Sequence, residues 1–201
     1  MTVKLRQLLF YCLLAVSQTS LALEVTALTQ HLSTDSALSG QFVQERFIEG
    51  FPKPIVSKGV FTFAPTRGLL WDTQSPFTNR IIILNDKLIA QNEFETQQIS
   101  SSEAPQLTVF NALAIALFSG NLTFLQSQFQ ISTSGTLSAW LMTLKPLKAP
   151  LNTIFQKIEL QGSRYPNKIN LWSTQGELTR VTLLGQKKVT QLPQELNDAR
   201  P

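Results

Sequence analysis

Polar and apolar positions alternate along most of this chain, and a period of two marks a protein built largely of β-strands. In residues 38–48, Phe42, Gln44, Arg46 and Ile48 fall on one side and Gln41, Val43, Glu45 and Phe47 on the other, with β-formers on both. Gly50, Pro52 and Pro54 interrupt the run, and residues 56–63 resume it through Val56, Val60, Phe61 and Phe63. Residues 68–73 and 80–84 are the next predicted strands. Asn85-Asp86 is a two-residue turn signal that joins the second of these to 87–91 as a tight hairpin. A further series occupies 129–133, 139–144, 154–160, 169–172 and 178–183, separated by turns rich in Gly, Ser and Pro. Short strands at this spacing predict antiparallel architecture rather than βαβ repeats.

Helical spacing interrupts the alternation in three places. Residues 24–33 read as a short helix with Leu28 and Leu32 on one face. Residues 102–118 read as a longer one, with Pro105 in its first turn and Gly120 just past its end. Leu107, Val109, Phe110, Leu113, Ile115, Leu117 and Phe118 surround this helix, so it must be covered on every side, yet it is too short to cross a bilayer. Two readings stay open: a helix sandwiched within a core, or a lid over an apolar cavity. Residues 121–126 suggest one more helical turn, and the polar tail from Pro193 is expected to fray.

The first 22 residues follow another rule. Lys4 and Arg6 precede an apolar run, 8–16, and Ser20-Leu21-Ala22 supplies the small residues of a peptidase site. That order predicts a secretory signal cleaved near Ala22, leaving 23–201 as a single exported domain. Cys12 lies inside the apolar run, so the mature chain is expected to carry no cysteine and no lipid anchor. Disulfides, thiolate metal sites and cysteine nucleophiles are thereby excluded after cleavage.

Charge and composition narrow the chemistry. Charged residues make up 15% of the chain, against a usual quarter or so, while Phe occurs 13 times. Of 17 basic residues, removing Lys4 and Arg6 leaves 15 against 13 acidic, with only Lys187-Lys188 adjacent. Nucleic-acid binding, which wants a clustered basic stripe, is not expected. His31 stands alone without a nucleophile motif, and no metal, phosphate-loop or dinucleotide pattern occurs. Neither a cofactor nor a metal nor an enzymatic role is expected. Asn121-Leu122-Thr123 matches a glycosylation acceptor, a pattern common by chance.

The order of these pieces resembles the periplasmic outer-membrane lipoprotein carrier family, LolA. The likeness rests on Phe42-Val43-Gln44, on Gly59-Val60-Phe61-Thr62-Phe63, on a Pro-containing turn before Leu69-Leu70-Trp71, and on Leu141-Met142-Thr143-Leu144-Lys145-Pro146. It implies an unclosed, curved antiparallel half-barrel covered by a helical lid, mainly β with helices. It also implies an apolar cavity that shields acyl chains between membranes. On that reading Phe42, Phe61, Phe63, Leu69, Trp71, Phe110, Leu113, Leu117, Trp140 and Met142 are the cavity or lid candidates, and Arg67 and Arg80 the candidates for polar contact with a headgroup or the lid. The implied partners are an acylated lipoprotein or another lipid, an inner-membrane transporter and an outer-membrane receptor, for a monomer in the periplasm. The family's carriers place a lid-binding Arg before the Pro of the turn, whereas this chain has Pro65 there and Arg67 two positions on.

Other readings share these residues. A sensor or regulatory lipid-binding module on the same fold is one, though it would normally bring a further domain. An exported enzyme with an uncommon site is another, and a ligand-free β-protein with an apolar core is the simplest. Which alternate residue of each strand faces inward is not fixed by the pattern, because both sides are often apolar.

Overall fold

The structure, a computed structural model, describes residues 23–32, 36–100 and 102–198. The predicted signal segment lies outside the described residues. Eleven strands form one antiparallel sheet: β1 Ala37–Phe47, β2 Ile55–Ala64, β3 Gly68–Ser75, β4 Asn79–Ile83, β5 Lys87–Gln91, β6 Thr96–Ser100, β7 Phe129–Thr136, β8 Ala139–Pro146, β9 Phe155–Gly162, β10 Pro166–Ser173 and β11 Leu178–Val189. Their spatial order is β6-β5-β4-β3-β2-β1-β11-β10-β9-β8-β7. The chain therefore begins at the centre, steps out to one edge, crosses to the other edge and steps back. β1 and β11, far apart in sequence, close the middle, with Phe42 opposite Leu183 and Val43 opposite Thr182. Edge strands β6 and β7 do not pair with each other, so the sheet is an open half-barrel.

The crossing is made by two helices, α2 (Pro105–Ser119) and α3 (Leu122–Gln128); α1 (Val25–Leu32) precedes the sheet. Two short helices, α4 (Leu151–Ile154) and α5 (Gln194–Asn197), complete the elements described. α2 and α3 lie on one face of the sheet, which we call inner. The main core fills the space between, with Phe42, Phe61, Phe63, Leu69, Met142, Leu144, Ile158, Leu160, Val181 and Leu183 from the strands meeting Leu113, Ala116, Leu117, Phe118 and Leu125 from the helices.

A smaller cluster lies on the outer face. Ala64, Leu70, Ile82 and Leu84 receive Leu196, which is wholly buried. The polar pattern from Pro193 suggested fraying, but residues 194–197 form α5, seated by that one leucine. β6 was not expected from the sequence either. Its residues, TQQIS, carry little apolar signal, and only pairing with β5, Leu88 opposite Ile99, draws it into the sheet. The Asn85-Asp86 hairpin is present as expected, with the Leu84 amide donating to the Lys87 carbonyl at 2.9 Å.

Antiparallel pairing sorts the turns to two ends. One end carries the β1–β2, β3–β4, β5–β6 and β10–β11 turns with the β8–β9 connection. The remaining hairpin turns lie at the other end.

Candidate functional site

The inner face is assembled by pairing large rings with glycines across neighbouring strands. Phe42 stands opposite Gly59, Gly40 opposite Phe61, and Trp140 opposite Gly162. Because Gly59 has no side chain, the Phe42 ring passes over β2 and stacks on Trp71 of β3, with centroids 3.8 Å apart and planes at 23°. A Cβ on Gly59 would lie 2.0 Å from the Asp72 carbonyl oxygen and 2.9 Å from the Phe42 ring, so no larger residue fits. Phe61 in turn lies 6.2 Å from Trp71. The result is a continuous aromatic floor over β1, β2 and β3.

Helix α2 sits on that floor. Phe118 packs against Phe61 and Phe63 with centroids 5.3 and 5.5 Å apart. Gly120 ends the helix in the left-handed conformation (φ 67°), its amide donating to Ala116. Asn121 then starts α3, its Oδ1 accepting from the Phe124 amide at 3.1 Å, which gives the glycosylation-like triplet a structural role as a cap. Among the described side chains of α2, one polar one is buried. Asn111, 1% exposed, donates from Nδ2 to the Leu84 carbonyl at 3.1 Å, while its Oδ1 has no partner among the described residues. That bond ties α2 to the β4–β5 turn.

All ten apolar candidates from the sequence come together in this one cluster. Phe42, Phe61, Phe63, Leu69, Leu113, Leu117, Trp140 and Met142 are buried in it, and Trp71 and Phe110 pack against it half-buried. Trp140 also donates its Nε1–H to the Ser163 carbonyl at 2.6 Å. The two Arg candidates lie elsewhere. Arg67 Nη1 donates to the Asn197 carbonyl of α5 at 3.0 Å. Arg80 bridges Asp72 at 3.1 Å and Glu195 at 2.6 Å on the outer face. The hydrogen bond to Asp72, then the charges of Asp72 and Glu195, outweigh the cost of burial and hold the Arg80 guanidinium protonated beyond its ordinary range. Both arginines thus help seat the C-terminal helix.

His31 is half-buried at the end of α1. Its Nε2 lies 2.8 Å from the Ser163 carbonyl, and its own carbonyl accepts from Arg164. No cluster of His, Cys, Asp or Glu suited to a metal occurs among the described residues. No helix among them is long and apolar enough to cross a membrane. Sequence reasoning missed Asn111 and the glycine–ring pairs. An Asn in the middle of a mostly apolar helix, and glycines inside strand patterns, were the signals available.

Exposed apolar side chains are unevenly placed. Of nine large exposed hydrophobics among the described residues, Phe51, Ile55, Val56, Phe77, Phe94, Leu147 and Ile154 lie at the β1–β2 end, leaving Leu137 and Leu184 elsewhere.

Residues 17–192 match the family described as outer membrane lipoprotein carrier protein LolA-like. No curated protein matches the chain. A LolA superfamily protein from Nitrosomonas europaea shares the fold with a TM-score of 0.50 and 10% identity, covering 87% of this chain and 97% of its own. A domain from Vibrio parahaemolyticus, described as an outer membrane lipoprotein-sorting protein, aligns with a TM-score of 0.47 and 9% identity over 88% of this chain and 96% of its own. At such low identity the first likeness speaks to the fold alone, and nothing is argued from the second. With the family match spanning most of the sequence and an open half-barrel covered by helices, this chain belongs to the outer membrane lipoprotein carrier LolA-like family.

Proposed function

We propose that this protein is an exported, monomeric carrier that shields the acyl chains of a lipoprotein or related lipid as they pass from the inner to the outer membrane. On this reading residues 1–22 are its cleaved signal and the aromatic floor under α2 is its binding surface. An inner-membrane transporter loads it, an outer-membrane receptor unloads it, and it performs no covalent chemistry. The observation that carries the reading is the inner face itself: Phe42, Phe61, Phe63, Leu69, Trp71, Trp140 and Met142 of the sheet meet Phe110, Leu113 and Leu117 of a mostly apolar covering helix in one cluster.

Packing energetics suit a carrier. An acyl chain of about 15 carbons costs about 12 kcal/mol to place in water, at about 0.8 kcal/mol per CH₂. Lifting α2 uncovers Leu113, Leu117 and Phe118, at about 1.5–3 kcal/mol each. Helix and cargo therefore compete for the same floor at energies of the same order. Exchange with the helix thus costs much less than release of the cargo into water, so cargo can be both held and surrendered.

Native mass spectrometry of protein purified gently from the periplasm, followed by lipid extraction, tests the proposal. Bound acylated peptide is the expected result, and free lipid would keep the carrier while changing its cargo. A ligand-free mass that stays ligand-free after addition of a triacylated lipopeptide would end the carrier reading.

A further inference from the structure

Phe51, Phe77 and Phe94 occupy the tips of three successive hairpins, β1–β2, β3–β4 and β5–β6, and are 63%, 82% and 93% exposed. Each tip is pinned. The Phe51 amide donates to the Ile48 carbonyl at 3.1 Å. Asn92 Oδ1 accepts from the amides of Phe94 and Glu95 at 2.8 and 3.0 Å, closing a turn that holds Phe94 at its outermost point. Thr78 donates to Glu93 at 2.8 Å and so ties the second tip to the third. The rings are thus presented by ordered turns. Exposed large apolar side chains concentrated at one end of a protein mark a contact surface.

The layout selects the partner. Phe77 and Phe94 share a hollow of about 390 Å³ with Thr78, Asn79, Asn92 and Glu93, and Phe51 is not part of its lining, so the rings stand among polar side chains and do not form one continuous apolar patch. A protein partner would be met by a continuous, fully desolvated patch. A fluid lipid interface can instead close around each ring separately, and Phe is among the side chains that enter it. Charge does not dominate here: Glu49 and Lys53 lie two positions either side of Phe51, and Glu93 and Glu95 flank Phe94. We propose that these three hairpin tips dock the protein transiently on a lipid bilayer surface, through apolar burial more than charge. This goes beyond the carrier proposal and does not depend on it, because it concerns the empty protein and protein-free lipid.

Flotation with vesicles of phosphatidylethanolamine and phosphatidylglycerol is the test, with folding of each variant checked by circular dichroism. The native protein is expected to float with the vesicles, and to do so still in about 0.5 M NaCl, where screening acts within about 4 Å. The triple variant Phe51→Ser, Phe77→Ser, Phe94→Ser should lose at least about tenfold in bound fraction, as binding follows buried apolar area. Leu137→Ser, at the opposite end, should float like the native protein. Native protein that does not float, a triple variant that floats equally, or association abolished by salt would each overturn the proposal. Binding only to vesicles carrying native membrane proteins would overturn it too, and assign the rim to a protein. Lipopeptide binding by the triple variant, measured separately, keeps this test distinct from the carrier proposal.

Discussion

Phe42, Gly59 and Trp71 illustrate how much of the inner face depends on single positions. The sequence marks all three as strand residues, but only cross-strand register shows that the glycine leaves room for one ring to reach the other. Gly59→Ala should therefore lower stability by about 3 kcal/mol, the upper range for overpacking, since its Cβ meets backbone that cannot rotate away. Urea unfolding would measure it, and a loss below about 1 kcal/mol would contradict the close approach. Asn111 is the second such position. Its bond to Leu84 joins α2 to the sheet while its buried Oδ1 goes unmatched among the described residues. Asn111→Ala should cost about 1–3 kcal/mol, and amide exchange in α2 should rise more than in β1 or β11. Equal exchange changes in helix and central strands would deny it a tethering role.

Among the elements, α2 was legible from its ends and its composition. Pro105 and Gly120 bounded it, and its apolar residues called for cover on every side; the sheet buries Leu113, Ala116, Leu117 and Phe118, while Val109, Phe110 and Ile115 stay half-buried, so that expectation is met on one side only. β6 was not legible, because a short polar edge strand is specified by its neighbour and not by its own residues. The turn between β6 and α2 carries a pH dependence. Glu103 accepts from the Ser100 amide at 2.9 Å, and this bond, followed by the Ser100 hydroxyl, sets its carboxyl below the ordinary value of 4.5. A carboxylate with a depressed value stabilises the folded turn above its unfolded pKa, and that contribution fades as pH falls through the folded value. Hydrogen exchange at the Ser100 and Glu103 amides, corrected for intrinsic rate, should accelerate below about pH 4.5. Glu103→Gln should remove most of that acid dependence.

At the scale of the whole molecule, the topology gives each half of the chain a meander and then joins them at β1 and β11. Crossing from β6 to β7 forces α2 and α3 over the inner face, so the covering helix follows from strand order. The same order gathers the exposed phenylalanines at one end, although Phe51, Phe77 and Phe94 are scattered in sequence. Arg67 and Arg80, read from the sequence as contacts for a lid or headgroup, are carried to α5, and the long-range tie from α2 to the sheet falls to Asn111. Local pattern alone determined the β-rich class, most strand positions, the apolar helix and the family likeness, because periodicity and turn chemistry act over a few residues. It could not determine which face of each strand is inner. Leu69 and Leu70, or Phe63 and Ala64, are all apolar, yet the first of each pair joins the inner core and the second the outer cluster. That choice belongs to hydrogen-bond register between distant strands, since a shift of one residue exchanges the faces, and only the tertiary structure settles the register.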